Sequence, residues 1–405
     1  MNLAGIIVEY NPMHNGHIHH IQKTRELTKC DGLIAVMSGN FNQRGIPSLI
    51  DKYEKTNMAL HNGVDLVLEL PTIYALSSAE FFSYGAVSLL NNLNIVNSIC
   101  FGSEHGNIDT LKVIAKTLYD EPTEFKEYLK EKLKEGEPYP KARTYAIKKY
   151  LNEKDIFISN LEDILNSSNN ILAIEYLKSI IKLDSTIMPY TIKREGGSYN
   201  SSDFNSIFSS ATSIRNYLKN NKSLDELIDH IPSYNFKRLK ELDSLGYNFT
   251  FDNSMLPYIK YKNYSKFNLL NKIPDVSEGL HNKIEKSINN LYNYNDILSD
   301  IKSKRYALTR ISRILCQFFI GFEEFNCDHL RKEPASYAKV LGFNQKGKTI
   351  LKSIKTNSDF PIYTKIPKIQ NESLKLDLQA SKMYSLLNKN YKYNEDFLRG
   401  PIIIK

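Results

Sequence analysis

Apolar residues in the N-terminal part of the chain come in two kinds of pattern, and the two alternate. Segments 3–8, 32–39, 65–71 and 95–104 are short, nearly unbroken apolar runs, rich in Ile, Val and Leu and closed by small, polar or chain-breaking residues. A run without polar alternation suits a strand covered on both faces, as in a parallel sheet. The stretches between them space their apolar residues for a helix: Ile18, Ile21 and Leu27 after the first run, then segments 50–61 and 79–91. This alternation predicts βαβ crossovers, and therefore an α/β fold with a Rossmann-like, doubly wound parallel sheet. Ligands of such sheets bind beyond the carboxyl ends of the strands. His14, Ser38, Gly39, Glu69 and Gly102 all fall on that edge.

Candidate chemistry concentrates after the first strand. Asn11-Pro12 breaks the run and a helix begins near Asn15, so His14 and His17 stand three residues apart at a helix N-terminus. Unpaired amides and the positive end of the helix dipole meet there, which suits an anion. Imidazole donates to phosphate with less bulk than Arg, and Gly16 lets a nucleotide approach the backbone. A surface histidine pair and a metal site drawn from His14, His17, His19 and His20 are the other readings, although no Cys or carboxylate cluster nearby completes a ligand set. Farther on, the polar cluster 165–170 precedes a helix with Ile171, Ile174, Leu177 and Ile181, and segment 189–194 reads as a short strand delivering Arg194. Segment 209–215 opens another helix, where Ser210 and Thr212 serve either as N-caps or as phosphate contacts.

His14-Asn15-Gly16-His17 resembles the HxGH signature of the class I aminoacyl-tRNA synthetase and nucleotidyltransferase superfamily, and segment 209–215 resembles its second, Ser/Thr-rich phosphate loop. In the order HNGH, SSNNILAIEYLK, KR and SSATSIR, with VEYNPMHNGH, VMSGNFNQRG, GVDLVLELP and FGSE as further pieces, the chain resembles the bacterial tRNA(Met) cytidine acetate ligases. It departs from that family at Ser168, where proline is usual, at Ala173, where glycine is usual, and at Glu195. The resemblance implies a HIGH-type nucleotidyltransferase core and a two-step reaction. Acetate attacks ATP to give acetyl adenylate and pyrophosphate, and N4 of the wobble cytidine in elongator tRNA(Met) then takes the acetyl group and releases AMP. His14 and His17 would be catalytic. ATP would be held by Ile7, Val8, Glu9, Tyr10, Asn11, Pro12, Met13, His14, Asn15, Gly16, His17, Ile18, His19 and His20, with Gly102, Asn170, Arg194, Thr212 and Arg215. Mg2+ would accompany ATP as its counter-ion, without a dedicated protein metal site. The alternative on the same core is a nucleotidyltransferase that adenylylates a small phosphorylated metabolite, but such enzymes are usually shorter.

Charge separates the two parts of the chain. The net +8 divides into +11 for residues 251–405 and −3 for residues 1–250. Residues 1–220 are therefore expected to form an ATP-binding catalytic domain, and residues 221–405 a mainly helical, basic, tRNA-binding domain, divided at the loop 220–223. Lys304, Arg305, Arg310 and Arg313 lie within ten residues, Arg310 and Arg313 share a helical face, and Tyr306 is interleaved. Such residues suit phosphate contacts with the anticodon region. High Asn, Lys, Ile and Tyr with no Trp marks a general bias, which discounts part of the Lys excess. Cys30, Cys100, Cys316 and Cys327 lack the short paired spacing of a zinc site and read as reduced thiols of a cytoplasmic protein. No signal sequence or bilayer-length apolar run is present, so no membrane association is expected, and no obligate protein partner is evident.

Overall fold

The computed structural model of the chain describes residues 1–194, 210–220, 223–266, 268–303 and 305–405. Its strands are β1 (Leu3–Val8), β2 (Gly32–Ser38), β3 (Phe41–Asn42), β4 (Ile46–Pro47), β5 (Leu66–Leu70), β6 (Ser98–Ser103), β7 (Met188–Lys193), β8 (Ala338–Phe343), β9 (Ile362–Tyr363) and β10 (Ile402–Ile403). They build a sheet of order β10-β8-β5-β2-β1-β6-β7 with β9 beside β8, while β3 and β4 form a separate hairpin. β5, β2, β1, β6 and β7 pair in parallel, as the apolar runs predict. Chain order reverses between β1 and β6, and this switch point is where a doubly wound sheet opens a crevice for ligand. The loops that follow β1 and β6 therefore face one another across the candidate site.

After residue 220 the chain is mainly helical, through Ser233–Ser244, Leu256–Ser265, Leu280–Asn290, Tyr294–Ile301 and Leu308–Ile320. It then returns to the sheet, which the sequence reading did not include. β8 lies antiparallel to β5 and carries β9 and β10 in parallel. The run AKVLGF was hidden by its lysine. Lys339 is 6% exposed and pairs with Glu69 at 3.2 Å inside the protein, so an apparently polar position is an interior one. The principal core accordingly draws on both parts, packing Val36 and Leu68 of the sheet in one cluster with Ile314, Phe319 and Tyr384. A smaller cluster joins Leu49, Ile50 and Met58 to Ile214, Leu218 and Leu239. The chain thus does not change core at residue 220.

All four cysteines are free; Cys100, Cys316 and Cys327 are buried and Cys30 half-buried. Among the described residues no helix is long and apolar enough to cross a membrane.

Candidate active site

Two histidines close the N-terminus of the first helix, and their backbone partners decide what the rings can do. His14 is the N-cap of the Asn15–Thr28 helix, extended at φ −132° and ψ 174°. Its Nδ1 accepts from the Gly16 N–H at 3.2 Å, while His17 Nδ1 accepts from the His14 N–H at 3.1 Å. The pair forms a capping box made of imidazoles, which satisfies amides that an anion would otherwise claim. A neutral ring that accepts at Nδ1 carries its proton on Nε2, so each histidine keeps one donor for a ligand. The rings lie 3.8 Å apart at a 33° tilt, and Tyr10 packs edge-on to His17 at 4.9 Å.

Burial keeps these rings uncharged. It pulls His14 down to about 3, with the Arg194 guanidinium adding to the effect. Burial likewise holds His17 well below its ordinary value, helped by His14, Arg194 and His20. His20, whose Nε2 donates to the Cys100 carbonyl at 3.2 Å, is lowered by burial to about 4. The folded rings resist protonation where unfolded ones accept it, so stability is complete above pH 6.5 and is lost as pH falls below it. Each ring should cost about 1.4 kcal/mol per pH unit below that point. Thermal unfolding at pH 7.5, 6.5 and 5.5 should show the decline, and His20→Gln should make it shallower. An unchanged slope in that variant would remove the assignment.

The positive charge of the site comes from arginines on other elements. Arg194 follows β7, donates its backbone N–H to the Ser103 carbonyl at 2.9 Å, and lays its side chain across Gly102. A Cβ on Gly102 would stand 3.2 Å from Arg194 Cγ, so the bare backbone leaves the arginine its place. On the opposite side, Ser210 caps the Ala211–Lys219 helix by accepting from the Ser213 N–H at 3.1 Å, as the capping reading expects. Arg215 from that helix donates to Asn11 Oδ1 at 2.9 Å and lies 5.6 Å from the Phe251 ring centre. Burial lowers it to about 10, which leaves it a cation at neutral pH. These elements enclose a cleft of about 290 Å³ at the β1/β6 switch point.

Residues 1–397 match the family described as HIGH Nucleotidyl Transferase. The chain belongs to that family. Among relatives of this HIGH nucleotidyl transferase, a tRNA(Met) cytidine acetate ligase of Clostridium novyi is 54% identical, with the whole of each chain covered. One of Clostridium kluyveri is 56% identical over all of this chain and 99% of its own. Among solved structures, apo Thermotoga maritima TmcAL superposes with a TM-score of 0.91 at 35% identity, covering all of both chains. The same protein bound with alpha-thio ATP gives 0.88 at 35% identity, over all of this chain and 99% of that one.

The residues that the resemblance assigns to ATP are brought together only in part. Ile7, Val8, Glu9, Tyr10, Asn11, His14, Gly16, His17, His19, His20, Gly102, Arg194, Thr212 and Arg215 line the cleft. Pro12, Met13, Asn15 and Ile18 do not: Met13 is core, Ile18 packs against it, and Asn15 Nδ2 donates to the Asp229 carbonyl at 2.8 Å. Asn170 also lies off the wall. Its Oδ1 accepts from the His105 N–H at 3.0 Å, and Asn169 lines the cleft instead. The N-terminus of the Ser168–Lys182 helix is filled by the protein's own anion, since Glu104 accepts from the Asn169 and Asn170 N–H groups at 3.1 and 2.8 Å. Gln43 and Arg44 on the β3–β4 hairpin, with Phe82, Glu104 and Tyr176, are lining residues that the sequence reading did not assign. Gln43 and Arg44 stand in the NQRG segment, Glu104 closes FGSE and Tyr176 lies in SSNNILAIEYLK, which are the local signals for them, whereas Phe82 has none.

The basic cluster divides in the same way. Lys304 lies outside the described residues. Arg305 is exposed and paired with Glu278 at 2.7 Å. Arg310 donates to the Asp275 carbonyl and lies 5.2 Å from the Tyr306 ring centre. Arg313 is 8% exposed and reaches the Gln43 carbonyl at 3.4 Å, so it braces the hairpin rather than presenting charge to solvent. Its helix turns that side inward, which a count of charges does not reveal.

Proposed function

We propose that this chain is an ATP-dependent tRNA(Met) cytidine acetate ligase. Acetate attacks the α-phosphorus of ATP and pyrophosphate leaves; N4 of the wobble cytidine of elongator tRNA(Met) then attacks the acetyl carbon, and AMP leaves. The carrying observation is the full-length likeness to relatives of that name, at 54% and 56% identity. The site agrees chemically. Adenylation needs in-line placement and neutralisation of growing phosphate charge more than covalent help. Nε2 donors on His14 and His17, framed by Arg194 and Arg215, supply that in a partly dry cleft.

Among the described residues no group of three His, Cys, Asp or Glu is placed to hold a metal. Mg2+ in this reading arrives on the ATP phosphates. Residues 1–220 carry the adenylation chemistry, and the basic part from 221 to 405, with exposed Arg305 and half-buried Arg310, receives the anticodon region. Reduced cysteines fit a cytoplasmic setting.

Purified protein with ATP and acetate is expected to release pyrophosphate, and with methionine tRNA to yield N4-acetylcytidine in the digested RNA. Release of pyrophosphate with a phosphorylated metabolite in place of acetate, and unmodified tRNA, would overturn the reading.

A further inference from the structure

The geometry points to Arg44 as a further catalytic residue of this reaction, whose guanidinium meets the leaving pyrophosphate and is held there by the Leu308–Ile320 helix of the C-terminal part. The inference rests on the acetate ligase reading. Arg44 lines the cleft and donates from Nη1 to Thr212 Oγ1 at 2.8 Å. Thr212 sits in the first turn of the Ser210-capped helix, so this end of the cleft gathers helix amides, a hydroxyl, Arg44 and Arg215. Such a group of donors suits a polyphosphate better than a single carboxylate.

The hairpin that carries Arg44 is clamped from two sides. On the catalytic side, Gln43 N–H donates to Glu9 Oε1 at 2.7 Å. On the other, Ser312 Oγ donates to the Gly45 carbonyl at 3.0 Å, and buried Arg313 donates to the Gln43 carbonyl at 3.4 Å. Gly45 adopts φ +74°, and a Cβ there would lie 2.3 Å from the Arg313 backbone nitrogen. Only glycine permits both that conformation and that approach. A long side chain on an ordinary hairpin would lose conformational freedom on meeting substrate; this one is fixed beforehand, as electrostatic stabilisation of a transition state requires.

In the adenylation step an acetate oxygen bonds to the α-phosphorus while the bond to the β-phosphate's bridging oxygen breaks. The electron pair leaves with pyrophosphate, and Arg44 stands to take that growing charge. Gly45 and Arg313 act as positioning residues. Their contacts also make the adenylation site depend on a helix whose preceding loop presents Arg305 and Tyr306.

The test is acetate-dependent exchange of labelled pyrophosphate into ATP, without tRNA, with equilibrium ATP binding and thermal unfolding measured alongside. Arg44→Ala should lower kcat by about a hundredfold or more. Arg44→Lys should recover part of that loss, and Gly45→Ala should lower kcat by about tenfold with little change in the ATP dissociation constant. An active wild type with Arg44→Ala within about threefold of it would overturn the inference. So would a loss confined to the KM for acetate, which would place Arg44 on the carboxylate. If Arg44→Ala does not fold, Arg44→Gln decides: a kcat within about threefold of the wild type overturns the proposal. Absence of exchange in the wild type would instead overturn the acetate ligase reading itself.

Discussion

Replacing His14 with Asn and His17 with Gln in one chain is expected to lower acetate-dependent pyrophosphate release by about three orders of magnitude while leaving the fold intact. Each lost donor to developing phosphate charge costs about 10²–10³ in rate. The substitutions are chosen to separate chemistry from capping. Asn at an N-cap and Gln three residues later both accept backbone N–H groups, so they keep the arrangement that the imidazoles now make at 3.1 and 3.2 Å. They replace the Nε2–H donors of the rings by amide NH2 groups that do not occupy the same positions. The double alanine variant should lose the activity and also about 1 kcal/mol or more of stability through its lost caps. Full activity in the Asn/Gln variant, measured as pyrophosphate release at saturating ATP and acetate, would show that the histidines serve the helix and not the phosphates.

A second large effect is expected far from the nucleotide. Asp396→Ala should destabilise the protein by about 3–5 kcal/mol, because it strips one carboxylate from a buried cluster of two acids and two lysines. Lys52 Nζ lies 2.8 Å from both Glu69 Oε1 and Asp396 Oδ1, and Lys339 Nζ lies 3.2 Å from Glu69 Oε2 and also pairs with Asp396. Ser381 Oγ accepts from Lys52 at 2.9 Å, and the Tyr53 hydroxyl donates to Asp396 at 2.9 Å. All four charged side chains are less than one tenth exposed. Without Asp396, two ammonium groups would face one carboxylate in a dry interior.

The pH dependence follows from the same contacts. Burial alone would raise Asp396, but Lys339 and Lys52 outweigh it and hold the carboxyl well below its ordinary 3.8. Its contribution is present above that pH and lost as pH falls through the acid range. Burial alone would lower Lys52, but Asp396 and Glu69 outweigh it and hold the ammonium well above 10.5. That contribution is present below 10.5 and lost as pH rises beyond it. The Asp396→Ala deficit should therefore be nearly constant from about pH 5 to 9 and shrink outside that window. Urea unfolding of both proteins at pH 5, 7 and 9 measures it. A deficit under 1 kcal/mol, or one that vanishes at high salt, would contradict the burial of the cluster.

This cluster joins two parts of the chain that the sequence presents as separate. Glu69 lies on β5 and Lys339 on β8, while Lys52 opens a helix and Asp396 comes from the short helix Glu395–Leu398. In one dimension these are scattered charges of the kind that mark a surface. Their pairing makes β8 a buried strand and ties the C-terminal residues to the catalytic sheet. Arg313 is the same case in miniature: it looked like half of a basic helical face and is the brace of the hairpin below the nucleotide cleft. Asn170, next to a helix N-terminus, reads as available to phosphate; its Oδ1 accepts from the His105 N–H instead, and Glu104 takes the amides of that helix end.

What the sequence alone determined is everything that depends on neighbours within a few positions. Unbroken apolar runs specify covered strands, 3.6-residue spacing specifies the helices between them, and a strand followed by a break and a histidine-capped helix specifies where an anion can sit. Those rules place His14, Ser38, Gly39, Glu69 and Gly102 on one edge of a parallel sheet, with Arg194 at the end of a further short strand; the assignment of Gly102 and Arg194 to ATP comes from the family resemblance. How charges distant in the chain are compensated is settled only by the folded arrangement. A lysine or arginine is interior or exterior according to the carboxylates and carbonyls that meet it, and those come from residues up to 344 positions away, as between Lys52 and Asp396. Local pattern carries no information about that meeting, because the desolvation cost and the pairing that offsets it exist only once the chain has closed on itself.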